Sequence, residues 1–257
     1  MSKKTAIVTG SSQGIGEAIV RRLAAEGYAV VVNDLQVNDD KIQKLVDELN
    51  ATHGDGTALG IVADVTSSAE VVSMISEAVQ KLGPLRVMVA NAGIARTSLA
   101  LETSEEDVRT LFDVNFMGVW LCYTHAARQM ISQGPVPEGS VGYRILGAAS
   151  IAAFKPTPLF SHYGATKWAV RGFTQVFAME MAKYKINVNA YAPGIVGTAI
   201  WDNIDTERFQ KAEDMTALGR TSVPEDVGNP VGGFLCSKDA DFITGQTLVI
   251  DGGIVFT

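Results

Sequence analysis

The chain of 257 residues is poor in cysteine, in histidine and in clustered positive charge, and each scarcity removes a class of explanation. Two cysteines, Cys122 and Cys236, cannot build a disulfide framework; each lies in an apolar helical context that reads as a buried free thiol, and a reducing compartment fits. His53, His125 and His162 show no i, i+4 pairing and no acidic companion spacing, so no metal site is expected. His162 adjoins Tyr163 and reads as a structural or substrate-rim residue, since adjacent helix positions face apart. The 21 Lys and Arg are scattered among 28 Asp and Glu, for a net charge of -7, which argues against nucleic acid or an anionic membrane as partner. No apolar run reaches spanning length, and "MSKKTAIVTG" passes straight into a buried-strand pattern without a leader's apolar region, so cytoplasmic residence is the expectation.

What remains is an ordinary globular composition, 47% hydrophobic and 19% charged, without repeats or low-complexity segments. One domain over residues 1–257 is expected. Apolar runs at 5–9, 29–33, 58–63, 85–90, 143–148, 186–192 and 247–251 alternate with helical patterns near 14–26, 38–51, 67–82, 104–132, 160–183 and 224–237. That alternation predicts an α/β fold, a doubly wound parallel sheet of seven strands with helices on both faces. Thr103 and Ser104 before "EED" and Pro224 before "EDV" carry helix-start chemistry. The stretch 194–222 interrupts the alternation and is read as a substrate lid.

Gly10, Gly14 and Gly16 fall at the junction of the first strand and first helix, in "TAIVTGSSQGIGEAI". Glycine there permits a tight reversal and leaves bare backbone for a pyrophosphate at the helix N-terminus. The second strand ends in "VVVNDL" and places Asp34 eighteen residues after Gly16, the position of an acid that holds an adenosine ribose. A carboxylate there favours NAD over NADP, because it repels a 2'-phosphate; Gln13 stands where a phosphate-binding loop would want Arg or Lys. Further along, "SHYGATKWAVRGF" sets Tyr163 and Lys167 one helical turn apart on one face. Spacing alone also describes an ordinary surface pair, with the lysine stem lying on the ring.

With "TGSSQGIG", "NAG" at 91–93, Asn115, Ser150, "YGATK" at 163–167 and "PG" at 193–194 in that order, the chain resembles the short-chain dehydrogenase/reductase family over residues 4–253. The resemblance implies a Rossmann fold and an enzyme that moves a hydride between NAD and a carbonyl or alcohol carbon. It places Ser12 and Ile15 on the pyrophosphate, Asp34 on the adenosine ribose, Asp64 and Val65 on the adenine, and Asn91 and Gly93 beside the cofactor. Pro193, Gly194, Val196 and Thr198 would lie on the nicotinamide side. Asn115 would interrupt its helix and hold a proton-relay water, Ser150 would hydrogen-bond the substrate oxygen, and Lys167 would bond the nicotinamide ribose. Tyr163 would be the acid and base, its pKa drawn down by the Lys167 ammonium.

Segments 192–205 and 169–175 resemble acetoin and diacetyl reductases, also called butane-2,3-diol dehydrogenases, with Gly197 where these carry a basic residue. The expected substrate is therefore a small ketone, hydroxyketone or vicinal diol, held by Ser150 and Tyr163 in a pocket of Ile151, Phe160, Ile200 and Trp201. A polyol or sugar-alcohol dehydrogenase, a 3-oxoacyl-carrier-protein reductase and a dinucleotide-sensing scaffold are the alternatives. The resemblance also implies a homotetramer assembled through helices 104–132 and 160–183 and the apolar C-terminus.

Overall fold

A computed structural model describes residues 4–198 and 212–257. Seven strands, β1 (Lys4–Val8), β2 (Tyr28–Asp34), β3 (Ala58–Val62), β4 (Leu85–Ala90), β5 (Tyr143–Ala148), β6 (Ile186–Pro193) and β7 (Thr247–Ile250), form one sheet in the order β3-β2-β1-β4-β5-β6-β7, every neighbouring pair parallel. The doubly wound parallel sheet expected from the alternation is thus the fold observed. Both faces are covered, which is why the central strands read as unbroken apolar runs: Ile7 packs to one side while Ala6 and Val8 pack to the other.

Helices α1 (Gly14–Ala25) and α2 (Asp39–His53) cover one face, together with α8 (Pro224–Asn229). On the other lie α3 (Ser68–Leu82), α4 (Glu105–Phe112), α5 (Gly118–Ser132) and α6 (Ser161–Met181). A short α7 (Ala212–Met215) resumes the described chain before α8. Ser104 caps α4, its hydroxyl accepting from the Asp107 N–H at 3.0 Å; Thr103 instead donates to the Leu99 carbonyl. Asp226 closes the start of α8 by accepting from the Val223 N–H at 2.9 Å, next to Pro224 in the first turn.

Two expected helices are not uniform. The span 104–132 is divided by a π-helical turn, Asp113–Met117, and the span 224–237 changes to π-helical geometry over Pro230–Leu235. Pro230 has no N–H to donate to the preceding turn, so the ladder widens where it stands. Behind β5, Gly147 faces Tyr123 of α5 so closely that a Cβ at 147 would lie 2.3 Å from the phenol oxygen. That oxygen is pinned, donating to the Asn189 carbonyl and bonded to the Thr174 hydroxyl, each at 3.1 Å.

The order of strands reverses direction between β1 and β4. Helices leave that point toward opposite faces and a crevice opens above the C-terminal strand ends, the place where open α/β sheets bind ligands.

Candidate active site

The crevice is a cavity of about 710 Å³, within the size range of small-molecule and cofactor pockets. It runs without interruption from Asp34 at the end of β2, past the loop between β1 and α1, to Ser150 and Tyr163. Gly10 and Gly14 hold φ of +60° and +61°, the left-handed region that permits the loop's reversals. Gly16 serves packing: a Cβ there would meet the Gly10 carbonyl oxygen at 2.3 Å and Asn91 Nδ2 at 2.7 Å. Gln13, just before α1, supplies no side-chain cap, and the cavity opens onto Gln13, Gly14, Ile15 and Gly16 at the positive end of the helix.

Asp34 is organised by its neighbours. One carboxylate oxygen accepts from the Ser12 hydroxyl at 2.6 Å and the Ser12 N–H at 3.4 Å, the other from the Leu35 N–H and Asn38 Nδ2, both at 2.9 Å. The Ser12 hydroxyl is thus engaged with Asp34, and Ser12 is not among the cavity walls. Asp64 and Val65 line the same end, with the Asp64 carboxylate accepting from the Thr66 N–H and hydroxyl. Lys41 reaches the rim, donating to Gln13 Oε1 at 2.7 Å.

At the other end Ser150 follows β5, and Tyr163 and Lys167 stand on the first turns of α6, with Phe160 set edge-on to the Tyr163 ring. Lys167 is buried; its Nζ lies 5.6 Å from the Tyr163 ring centroid and donates to the Ala148 carbonyl at 2.8 Å. Burial raises the Tyr163 phenol above its ordinary value of 10, and a hydrogen bond with Ser150 pulls it back in part. Burial also pushes the Lys167 ammonium down to about 8. This corrects the expectation that the ammonium draws the phenol down. Desolvation of the phenolate dominates, and the lysine spends its hydrogen bond on a backbone carbonyl rather than on the phenol oxygen.

Asn115 sits in the π turn as the resemblance implied, fully buried, but its side chain is occupied by protein and does not line the cavity. Its Oδ1 accepts from the Ile94 N–H at 2.9 Å, and its Nδ2 donates to the Ile94 carbonyl at 2.9 Å and the Thr166 hydroxyl at 3.2 Å. The amide therefore ties the segment after β4 to α6, with both N–H donors of Nδ2 and one lone pair of Oδ1 engaged. Gly93 lies between: a Cβ there would come within 3.1 Å of Asn115 Oδ1 and 3.4 Å of Lys167 Nζ.

Pro193, Gly194, Val196 and Thr198 line the wall beyond β6, and Ile151 and Phe160 the wall beside Ser150. Gly194 is also a packing glycine, its missing Cβ 2.8 Å from Asp251 Cβ. Ile200, Trp201 and residues 199–211 of the expected lid lie outside the described residues. Sequence reading missed Thr157, Met215, Asn38 and Tyr191, all of which line the cavity. Only Asn38 had a local signal, its position four residues after Asp34. Among the described residues no group of three His, Cys, Asp or Glu is placed to hold a metal ion, and no helix is long and apolar enough to cross a membrane.

Residues 4–208 match the family described as short chain dehydrogenase. A short-chain dehydrogenase/reductase of Armillaria gallica is 44% identical over 98% of this chain and 96% of its own. An L-2,3-butanediol dehydrogenase of Corynebacterium glutamicum is 40% identical over 98% and 99%, and an (S)-acetoin-forming diacetyl reductase of Staphylococcus epidermidis 37% identical over the same shares. A crystal structure of a short-chain type dehydrogenase/reductase from Mycobacterium marinum superposes with a TM-score of 0.89 at 32% identity, covering 100% of this chain and 97% of that one.

Proposed function

Because the chain belongs to the short-chain dehydrogenase/reductase family, we propose that it is an NAD(H)-dependent oxidoreductase that interconverts a small ketone or hydroxyketone with its secondary alcohol, of the acetoin, diacetyl and butane-2,3-diol type. The observation that carries this reading is the single cavity with a fixed carboxylate at one end and the Ser150, Tyr163 and Lys167 constellation at the other. Asp34, the glycine loop and the wall from Pro193 to Thr198 fit a dinucleotide, with the negative ribose partner, the uncapped helix start and the apolar strand ends each in reach of one cavity. The dinucleotide supplies the hydride chemistry when bound. The chain's own residues manage the proton: Ser150 hydrogen-bonds the carbonyl oxygen, and Tyr163 gives its proton to the forming alkoxide or takes one from the alcohol. Lys167 places a positive charge beneath the phenol, and Asn115 holds the backbone around both.

Two relatives' names support the substrate class, and so does the reaction end of the cavity, where Ile94, Ala95, Ile151 and Phe160 are apolar and Thr157 adds a hydroxyl suited to a second oxygen. Ile200 and Trp201 belong to the same proposed pocket. Asp34 supports NAD, since its carboxylate repels a 2'-phosphate; Lys41 beside Gln13 pulls the other way. Steady-state kinetics with NADH and NADPH across a ketone panel tests the whole reading. Acetoin or diacetyl is expected to be reduced, with NADH favoured about 100-fold in kcat/KM. Activity confined to sugars or acyl thioesters would refute the substrate class, and a preference for NADPH would refute the role of Asp34.

The proposal extends to a single domain over residues 1–257 with a lid at about 194–222, working in the cytoplasm as a homotetramer. Helices α5 and α6 support the assembly: Trp120, Trp168, Val176 and Met179 are exposed large apolar side chains, and Trp120 stacks on Phe173 at 4.4 Å, joining the two helices. Light scattering is expected to return four times the mass of the chain, and a monomer would remove this part without touching the chemistry.

A further inference from the structure

Tyr191 is a fully buried phenol that the proposed proton chemistry does not use. It stands on β6, with its backbone in register with Ala148 of β5. Its side chain nevertheless reaches β4: the hydroxyl donates to Asn91 Oδ1 at 2.9 Å, passing over the end of β5, where Ala148 and Ala149 are small. Asn91 in turn points its amide nitrogen away, donating to the carbonyls of Thr9 at 2.9 Å and Gly10 at 3.0 Å. The backbone on both sides is fastened as well, since the Asn91 and Ala92 N–H groups donate to the Thr9 hydroxyl at 3.0 and 3.1 Å.

An Asn amide presents one acceptor and two donors, and only one of its two orientations puts the nitrogen on the loop carbonyls. The Thr9 and Gly10 carbonyls, which can only accept, select that orientation, and the Tyr191 hydroxyl completes it by donating to the amide oxygen on the other side. Burial raises the Tyr191 phenol well above its ordinary value of 10, so the group remains a donor wherever the fold survives. The loop so held is the one whose Gly10 and Gly14 line the dinucleotide end of the cavity, and Gly16 packs against the same Asn91 nitrogen.

We propose that Tyr191 is a positioning residue for the dinucleotide, acting through Asn91 to hold the glycine loop in its binding shape from the strand that also borders the reaction end of the cavity. This rests on the reading of the cavity as a dinucleotide site. Its test is direct binding, followed by the quenching of protein fluorescence with NADH and with NADPH, on the full chain and on Tyr191→Phe, Asn91→Ala and the double variant. Wild-type chain is expected to bind NADH. Tyr191→Phe is expected to bind it about tenfold more weakly, the scale of one buried acceptor left unpaired. In the Asn91→Ala background the same Tyr191→Phe change is expected to have no further effect. A purely structural phenol would lower the melting temperature and leave affinity unchanged, or would cost the same affinity with Asn91 absent; either outcome overturns the proposal. Failure of wild-type chain to bind either dinucleotide would instead overturn the reading of the cavity, and the proposal with it. Should Tyr191→Phe not fold, Asn91→Asp provides the second arm, since it keeps an acceptor for Tyr191 and removes the donors to Thr9 and Gly10: wild-type affinity in that variant would overturn the proposal.

Discussion

Tyr163→Phe is expected to lower turnover by at least about 100-fold, the low end of what a positioned acid or base contributes, while dinucleotide affinity stays near that of the unaltered chain. The substitution removes one oxygen from a ring whose edge contact with Phe160 and place above Lys167 are otherwise kept. The direction of the phenol's shift sharpens the expectation. Held above its ordinary value of 10 by burial, Tyr163 is protonated throughout the neutral range, so it is poised to donate in carbonyl reduction. Alcohol oxidation needs the phenolate instead, and its fraction climbs about tenfold per pH unit below the phenol's pKa. Oxidation is therefore expected to rise steeply from pH 6 to 8, with reduction flat over that interval and falling only as the Lys167 ammonium loses its charge above about 8. Steady-state rates in both directions across that range check this, and near-normal turnover in Tyr163→Phe would end the assignment.

The second large effect has two signs at once. Lys167→Met should abolish turnover and yet make the protein more stable at pH 7. The ammonium is 4% exposed, and its displacement from 10.5 to about 8 reflects a burial penalty of about 3 kcal/mol against the charged form. Methionine removes that penalty and forfeits the charge-assisted hydrogen bond to the Ala148 carbonyl, worth about 2 kcal/mol, which leaves a net gain of about 1 kcal/mol. Between about 8 and 10.5 the unfolded chain binds more protons at this position than the folded one, so the unaltered protein gains stability as pH rises through that window. The advantage of the variant should shrink accordingly. Urea denaturation at pH 7 and pH 10 measures both points; a variant less stable than the unaltered chain at pH 7 would show that the lost hydrogen bond outweighs the burial penalty.

Much of this was legible because the residues involved obey local rules. Strands such as Tyr28–Asp34 are buried on both faces, so they read as continuous apolar runs, and Gly10 and Gly14 mark a turn that demands left-handed backbone. Asp34, Ser150, Tyr163 and Lys167 stand at spacings from strand ends and helix starts that bring them to one cavity. What escaped depends on contacts distant in sequence. Ser12 turns to Asp34 across 22 residues and Tyr191 reaches Asn91 across 100, and no periodicity announces either. The sign of the Tyr163 shift is of the same kind: four-residue spacing puts an ammonium nearby, but only the packed structure reveals that desolvation outweighs it. The π turn at Asn115 was foreseeable by resemblance, whereas the bonds of its amide to Ile94 and Thr166 were not.

Gly147 bears on how such a site can change. With the Tyr123 oxygen immediately behind it, β5 cannot slide along its own axis: a slip of two residues, the smallest that preserves the pleat, would drive the side chain of Ile145 or Ala149 into a fixed oxygen. Ser150 is thus anchored from the reverse side of the sheet, independently of whatever surrounds it in front. Insertions or exchanges in the loops at the mouth are free to reshape what is admitted, while the serine proposed to meet the substrate keeps its coordinates.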